Sequence, residues 1–223
     1  MVTNHGIHEW EVTAGLPDTG GQNVYVNQLS AALAKLGFKV TTANRGGYPH
    51  PVDGSDRTGM RFRGDRERIV YLVDSSKTFI RKEDMFSHTR ELGENLAQII
   101  REEDSKPEAI VSHYWDGGRV AEIARGQLMP GGHGTQAMSG KRDVARHVWI
   151  PYSLGKLTKA NTHASRWEEL RIEERVAEEL ELLSQIDLAV HTSQAMERSL
   201  RDDYRNEESI FLPTEVDTDR FDP

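Results

Sequence analysis

Short apolar segments alternate with longer amphipathic segments along the chain, and this alternation restricts the possible folds more than any other sequence feature. The apolar segments have the length and residue types of buried strands, and they lie at 38–42, 60–62 (as an edge strand), 69–73, 109–112, 147–151, 188–190 and 209–213. Helices are predicted between them, at 22–36, 85–100, 119–125, 166–183 and 193–204. The alternation predicts an α/β fold, a Rossmann-like parallel sheet with helices on both faces.

Residues 1–3 have the character of the end of a strand, because a buried parallel strand normally offers four or more apolar residues. We therefore expect the first strand to begin upstream of Met1. Residues 4–10 form a polar loop at the carboxyl end of that strand. His5, His8 and Glu9 in this loop suggest a metal ion, but a third ordered ligand is missing and no metal site is predicted.

The motif Asp18-Thr19-Gly20-Gly21-Gln22 comes directly before the first predicted helix. Two adjacent glycines at a helix start let the backbone approach a ligand, with free N–H groups and the positive helix end facing it. Such a site suits a phosphate or a crowded hydroxyl. The motif also has a purely structural interpretation, because Thr19 and Gln22 have the spacing of a capping box, which needs no ligand.

The balance of charge excludes some partners. The chain carries 28 basic and 36 acidic side chains among 223 residues, whereas nucleic acids and anionic membranes require a concentrated basic surface. Cysteine is absent, which excludes disulfides and thiolate metal sites. No apolar segment is long enough to span a bilayer, so we expect a soluble, cytoplasmic protein.

The glycine-rich, non-periodic segment 127–146 is predicted to be a mobile loop.

The unusual polar motifs all follow predicted strands, at 5–22, 113–118 and 152–159. In a parallel sheet of this kind, ligands bind beyond the carboxyl ends of the strands. We therefore expect these three segments to meet at one binding cleft.

Four motifs along the chain carry a family resemblance. They are, in order, 18–25 (Asp-Thr-Gly-Gly-Gln-Asn-Val-Tyr), 112–118 (Ser-His-Tyr-Trp-Asp-Gly-Gly), 151–155 (Pro-Tyr-Ser-Leu-Gly) and 216–221 (Val-Asp-Thr-Asp-Arg-Phe). Together they resemble the sucrose-phosphate-synthase-like and mannosylfructose-phosphate-synthase-like retaining glycosyltransferases. The resemblance implies the GT-B fold, in which two Rossmann-like domains face each other across a cleft.

The resemblance covers only the N-terminal half of such an enzyme. It implies a Rossmann-like acceptor-binding domain at 1–212 and the start of the interdomain linker at 213–223, with the C-terminal donor domain missing. The implied function is hexosyl transfer from a nucleotide-sugar to a sugar acceptor, expected to be phosphorylated, with the nucleotide-sugar as co-substrate and no cofactor. The isolated chain is expected to be inactive.

Two other functions stay open on the sequence alone. One is a catalytically silent module that binds a sugar or a sugar phosphate. The other is a different α/β nucleotide-binding enzyme, which the absence of the P-loop and dinucleotide-binding glycine patterns disfavours.

The resemblance also implies the site residues, and none of them is a metal ligand. His113 and Tyr152 are the candidate catalytic residues, and Tyr152 stands where the family usually has the histidine of His-Ser-Leu-Gly. The candidate substrate-binding residues are Gly20, Gly21, Gln22, Lys82, Trp115, Asp116, Ser153, Lys156, Lys159, Arg171 and Arg175.

Several of these assignments have a structural alternative. His113, Trp115 and Asp116 are predicted to be exposed, and the Trp115 ring either stacks on a sugar or fills the core of its own loop. Arg171 and Arg175 are predicted on one helix face, where they either grip a phosphate or pair with the neighbouring glutamates. Lys156 and Lys159 flank the position where the family has a basic residue.

Overall fold

The computed structural model describes residues 1–129 and 145–214. Most of the predicted mobile loop at 127–146 lies outside these residues. The same holds for most of the predicted linker at 213–223 and for the whole 216–221 motif.

The predicted strands and helices are present, with shifted ends. The strands are β1 (Val40–Arg45), β2 (Met60–Arg63), β3 (Glu67–Leu72), β4 (Ala109–His113), β5 (Arg146–Ile150), β6 (Leu188–His191) and β7 (Ser209–Phe211). The helices are α1 (Gly21–Lys35), α2 (Thr89–Glu102), α3 (Tyr114–Leu128), α4 (Gly155–Ala160), α5 (Ile172–Leu183) and α6 (Gln194–Asp202). The sequence did not predict α4, which is only six residues long.

The strands form two groups, ordered β2-β3-β1 and β4-β5-β6-β7, and residues 1–3 join them. Val2 is bridged to Ala43 on one side and to Ser112 on the other, both in parallel. All named strand pairs are parallel except β2 with β3. Strand β2 lies at the end of its group, which confirms it as an edge strand, and its antiparallel direction was not predicted. Residues 1–3 are hydrogen-bonded as a strand, as predicted.

Side chains of neighbouring strand residues point to opposite faces of the sheet, so both faces carry apolar side chains, and helices cover both of them. Ile150 packs with Tyr25 of α1, whereas the adjacent Trp149 packs with Leu182 of α5 and with residues of α6. The other large core cluster lies between α2, α3 and the strands β1, β3 and β4. The fold is therefore the predicted Rossmann-like α/β arrangement.

The prediction for 112–118 was wrong about both conformation and exposure. Helix α3 begins at Tyr114 rather than at 119, so the motif is a strand end followed by a first helical turn. His113, Trp115 and Asp116 are at most 2% exposed. Gly118 lies where α3 packs against α5: an added Cβ would lie 2.2 Å from Leu182 Cδ2 and 3.2 Å from the Trp149 ring, so a larger residue would force these buried side chains to move.

The predicted helix at 166–183 is interrupted. A short 3₁₀ turn spans Ala164–Arg166, and α5 begins only at Ile172, after Arg171 in the left-handed conformation (φ 47°). Arg171 and Arg175 therefore do not share a helix face, which corrects the prediction. Within the described ranges, no helix is long and apolar enough to cross a bilayer.

Candidate functional site

An open cleft of about 360 Å³ lies at the carboxyl edge of the sheet. Its lining comprises His5, Asp18, Thr19, Gly20, Gly21, Gln22, Lys82, Tyr114 and Ser153. The segments 5–22, 113–118 and 152–159 thus each contribute to it, as expected. His5, Asp18, Thr19 and Tyr114 were not among the predicted substrate-binding residues, although they lie in the segments expected to meet at the cleft.

The glycine motif forms an open strip of backbone along the cleft. Helix α1 begins at Gly21, and Gly20 N–H donates to Asn23 Oδ1 at 3.0 Å. The Gly21 and Gln22 N–H groups have no acceptor among the described residues. An added Cβ at Gly20 or Gly21 would meet no atom within 4 Å. This backbone is therefore accessible to a ligand.

The cap of α1 differs from the capping box considered in the sequence analysis. Thr19 Oγ1 accepts the Ile7 N–H at 2.8 Å and donates to Pro17 O, so it orders the preceding loop. Gln22 Nε2 donates to Thr3 Oγ1 at 2.9 Å. This hydrogen bond holds the Gln22 side chain across the end of the first strand.

Lys82 is held at the cleft by carboxylates. Its Nζ donates to Asp18 Oδ1 at 2.7 Å and lies 3.2 Å from Glu83 Oε1, and its backbone N–H donates to Asp18 Oδ2. Partial burial opposes charge on both Asp18 and Lys82, but their mutual hydrogen bonds and attraction outweigh it. The pKa of Asp18 is lowered and the pKa of Lys82 is raised, so both groups are charged near neutral pH.

His5 is the second polar side chain fixed at the cleft wall. Its Nδ1 lies 2.9 Å from Asp116 Oδ1, and its backbone N–H donates to Asp116 Oδ2 at 3.0 Å. The ring stands edge-on to Tyr114, with a centroid separation of 4.7 Å. Asp116, predicted to bind substrate, is fully buried behind His5.

The two candidate catalytic residues contact each other beside the cleft. His113 Nδ1 and Tyr152 Oη are 2.8 Å apart, and the two rings are stacked. Burial lowers the pKa of His113 well below its usual value and raises that of Tyr152 well above, so both are neutral near pH 7. Neither residue is part of the cleft lining, although Tyr152 adjoins Ser153, which is.

Of the lysines and arginines predicted to bind substrate, Lys82 alone is among the residues that line the cleft. Lys156 donates to Asp203 O and lies over the Tyr204 ring, while Lys159 pairs with Glu173 and lies over the Trp167 ring. Neither lysine lines the cleft. Both lysines lie in α4 and contact the residues named above instead of facing the cleft.

The two arginines also have protein partners. Arg171 pairs with Glu174 and stacks on Phe86. Arg175 is buried: its Nε donates to Glu179 Oε1 at 2.8 Å, and its Nη2 donates to Ser153 O at 2.6 Å. The Arg175 guanidinium also lies over the Tyr114 ring. It supports two lining residues from behind instead of facing the cleft.

Trp115 packs in the core, its ring stacked on Phe86 at a centroid distance of 4.0 Å. Trp115 therefore does not stack on a sugar at the cleft, and it fills the core of the domain from helix α3 instead of the core of its own loop. The residues of the considered metal site have separate partners: His5 contacts Asp116, His8 contacts Asn23, and Glu9 pairs with Arg57. Across the part of the chain that the structure describes, no three His, Asp or Glu side chains are grouped for metal binding.

Because two buried histidines have lowered pKa values, we expect the free energy of unfolding to fall in acid. Burial, reinforced by Arg57 and Arg63, lowers the pKa of His8 from 6.5 to about 3, and burial lowers that of His113. Below pH 6.5 the unfolded chain binds protons that the folded chain excludes. The free energy of unfolding therefore keeps its full value above pH 6.5. It falls as the pH drops towards the pKa values of the folded chain, by about 1.4 kcal/mol per histidine and pH unit.

Urea denaturation at about pH 7.5 and about pH 5.5 measures this effect. We expect the His8→Asn variant to lose less stability than the wild type between the two conditions. The exposed His163 provides the matched control, and His163→Asn should not change the pH dependence. An equal loss in the wild type and in His8→Asn would contradict the assignment.

Comparison with known proteins finds relatives that are similar to this chain in sequence. Mannosylfructose-phosphate synthase of Agrobacterium fabrum is 28% identical over 234 aligned residues, which cover all of this chain and 46% of that protein. A probable sucrose-phosphate synthase of Thermosipho melanesiensis is 30% identical over 110 residues, 46% of this chain and 24% of that protein. The chain thus spans less than half the length of either relative.

Solved structures show the same fold. A sucrose-phosphate synthase from Thermosynechococcus elongatus superposes with a TM-score of 0.74 at 23% identity, covering 95% of this chain and 46% of that one. The catalytic domain of starch synthase IV from Arabidopsis thaliana gives a TM-score of 0.61 at 14% identity, covering all of this chain and 53% of that one. The profile of the Glycosyl transferase 4-like domain matches residues 20–213. The chain belongs to this glycosyltransferase family.

Proposed function

We propose that this chain is the acceptor-side half of a retaining hexosyltransferase that transfers a sugar from a nucleotide-sugar to a phosphorylated sugar acceptor. One observation carries the proposal: the open backbone of Gly20–Gln22 and the Lys82 ammonium line the same cleft. Unpaired N–H groups suit sugar hydroxyls, and an ammonium suits a phosphate. The name of the Agrobacterium relative, a mannosylfructose-phosphate synthase, is consistent with this acceptor class.

In this proposal the chain contributes orientation and electrostatic stabilisation. The Gly21 and Gln22 N–H groups and the Gln22 side chain bind hydroxyls, while Lys82 binds the phosphate. His113 and Tyr152 stay the candidate catalytic residues, since Tyr152 adjoins the cleft in a left-handed conformation (φ 56°) of the kind found at functional sites. The donor binds mainly to a second domain, so the chain alone is proposed to be inactive.

A catalytically silent sugar-phosphate binding module is the alternative from another class. Such a module would have the same cleft and would need no donor domain. A coding sequence for a second Rossmann-like domain directly after Pro223 would favour the enzyme.

Removing the charge of Lys82 tests the phosphate site. Lys82→Gln keeps a donor for Asp18 and removes the ammonium. We expect it to weaken binding of fructose 6-phosphate by about ten- to a hundredfold, the effect of one charged hydrogen bond, and to leave fructose binding unchanged. Calorimetric titration of both sugars measures this difference.

Lys156→Gln is the matched control, because Lys156 lies outside the cleft lining. It should bind fructose 6-phosphate like the wild type. If the wild type binds the two sugars equally well, or if Lys156→Gln has the larger effect, the phosphate assignment is wrong.

A further inference from the structure

The Lys82 ammonium lies between two carboxylates that are more buried than it is. Its Nζ donates to Asp18 Oδ1 at 2.7 Å and lies 3.2 Å from Glu83 Oε1. The exposed fraction of the side chain is 35% for Lys82, 12% for Asp18 and 7% for Glu83. An ammonium has three N–H donors, so these two contacts leave one donor for a ligand.

Of these two carboxylates, Asp18 is the one that faces the cleft. Asp18 and Lys82 both belong to the cleft lining, whereas Glu83 does not. Glu83 also has a second cation, because its Oε2 lies 3.2 Å from Arg81 Nη2. A phosphate that reaches Lys82 Nζ therefore also approaches the Asp18 carboxylate. Two like charges repel each other there, because a partly buried place is screened less than bulk water.

Asp18 is held in place by contacts that a ligand at Lys82 Nζ would not displace. Its Oδ2 accepts the Lys82 backbone N–H at 2.9 Å. Its backbone has the left-handed conformation (φ 49°), and an added Cβ at Gly6 would lie 2.3 Å from Asp18 O. The residue thus packs closely against the loop that follows the first strand. The carboxylate therefore stays beside Lys82 when an anion binds.

We propose that Asp18 determines specificity by lowering the affinity of the cleft for a phosphate group. This inference rests on the proposed function, in which Lys82 binds the phosphate of the acceptor. Specificity often requires such an unfavourable contact. Beside Asp18, the attraction to Lys82 alone does not retain an anion, and binding also needs the hydrogen bonds between sugar hydroxyls and the cleft. The cleft thus selects a phosphorylated sugar over inorganic phosphate.

Removing the charge of Asp18 tests the inference on the whole chain. Asp18→Asn keeps a side-chain oxygen for the Lys82 backbone N–H and removes the carboxylate charge. We expect calorimetric titration to show about tenfold tighter binding of fructose 6-phosphate, because one like charge near the phosphate is gone. The affinity for inorganic phosphate should rise by the same factor, and the affinity for fructose should not change.

Asp202→Asn is the matched control. It removes one carboxylate charge from the exposed end of α6, where Asp202 pairs with Arg201. All three affinities should equal those of the wild type, which separates the local effect of Asp18 from the effect of net charge. Unchanged or weaker binding of fructose 6-phosphate to a folded Asp18→Asn chain would overturn the inference, because Asp18 would then only hold Lys82 in position. An equal rise in Asp202→Asn would overturn it as well.

A ligand of lower charge tests the inference on the unmodified chain. Fructose 6-sulfate carries a single negative charge, whereas a phosphate monoester carries about 1.5 to 2 near pH 7. Because Asp18 offsets the charge of Lys82, we expect the wild type to bind the two esters with affinities within about threefold of each other, and Asp18→Asn to prefer the phosphate. A larger preference of the wild type for the phosphate would overturn the inference.

Failure of the inference and failure of the proposed function give different results. If the wild type prefers fructose 6-phosphate to fructose but Asp18→Asn does not bind it more tightly, the inference is wrong and the phosphate site at Lys82 stands. If neither chain prefers fructose 6-phosphate to fructose, the phosphate site and the inference both fall. Circular dichroism of each variant checks that the fold is kept.

Discussion

Replacing Glu179 with alanine is expected to lower the free energy of unfolding by about 3–5 kcal/mol, because it leaves a buried arginine without its counter-ion. Glu179 is fully buried and accepts hydrogen bonds from Arg175 Nε, from the Gly155 N–H at 2.8 Å and from Tyr204 Oη. Burial disfavours the charge of Arg175, but Glu179 outweighs it and raises the arginine pKa. Urea denaturation measures the loss.

Glu181→Ala on the same helix is the matched control. Glu181 is about half exposed and pairs with Arg119 on the surface, so its removal should change stability by less than about 1 kcal/mol. Replacing both buried partners, as in Arg175→Met with Glu179→Leu, should recover part of the loss, because no unpaired charge remains. Equal effects of Glu179→Ala and Glu181→Ala would contradict the structural role of the buried pair.

Gly21→Val is expected to abolish sugar binding while the fold is kept. The added side chain meets no protein atom near its Cβ, and it occupies the space where the backbone faces the ligand. Valine in a helix costs only a fraction of a kcal/mol more than a good helix former. We expect an affinity loss on the order of a hundredfold or more, about 3 kcal/mol, in titrations with fructose 6-phosphate.

Lys35→Val provides the control for this variant. It adds the same branched side chain to the exposed far end of α1, away from the cleft. Both variants should unfold at nearly the same urea concentration as the wild type, and only Gly21→Val should lose binding. A Gly21→Val chain that binds as well as the wild type would show that the ligand does not contact this backbone.

The sheet was predictable because its signal is local. Most strands coincide with a short segment of apolar and β-branched residues, and β2 was predicted as a short edge strand without its antiparallel direction. The start of α3 was missed because Asp116, Gly117 and Gly118 are poor helix formers, whereas burial of the turn against residues 1–3 and α5 decides its conformation. The interruption before α5 also depends on distant contacts, since Arg171 donates to Glu83 O.

The site was harder to predict than the fold because its key pairs are far apart in sequence. Asp116 lies 111 residues from His5, and Lys82 lies 64 residues from Asp18. The pair of Arg175 with Glu179 has the spacing of a surface ion pair, and nothing in the sequence reveals that it is buried. The glycine motif was recognisable because two adjacent glycines at the start of a predicted helix are a signal within a few residues of the sequence.

The most direct test of the acceptor cleft is an amide NMR titration of the ¹⁵N-labelled chain with fructose 6-phosphate. We expect saturable shifts centred on the amides of Gly20, Gly21, Gln22 and Lys82, with fructose binding more weakly and shifting the same amides except that of Lys82. Saturable shifts confined to the surface around Lys156 and Lys159, or no saturable shift at all, would contradict this expectation.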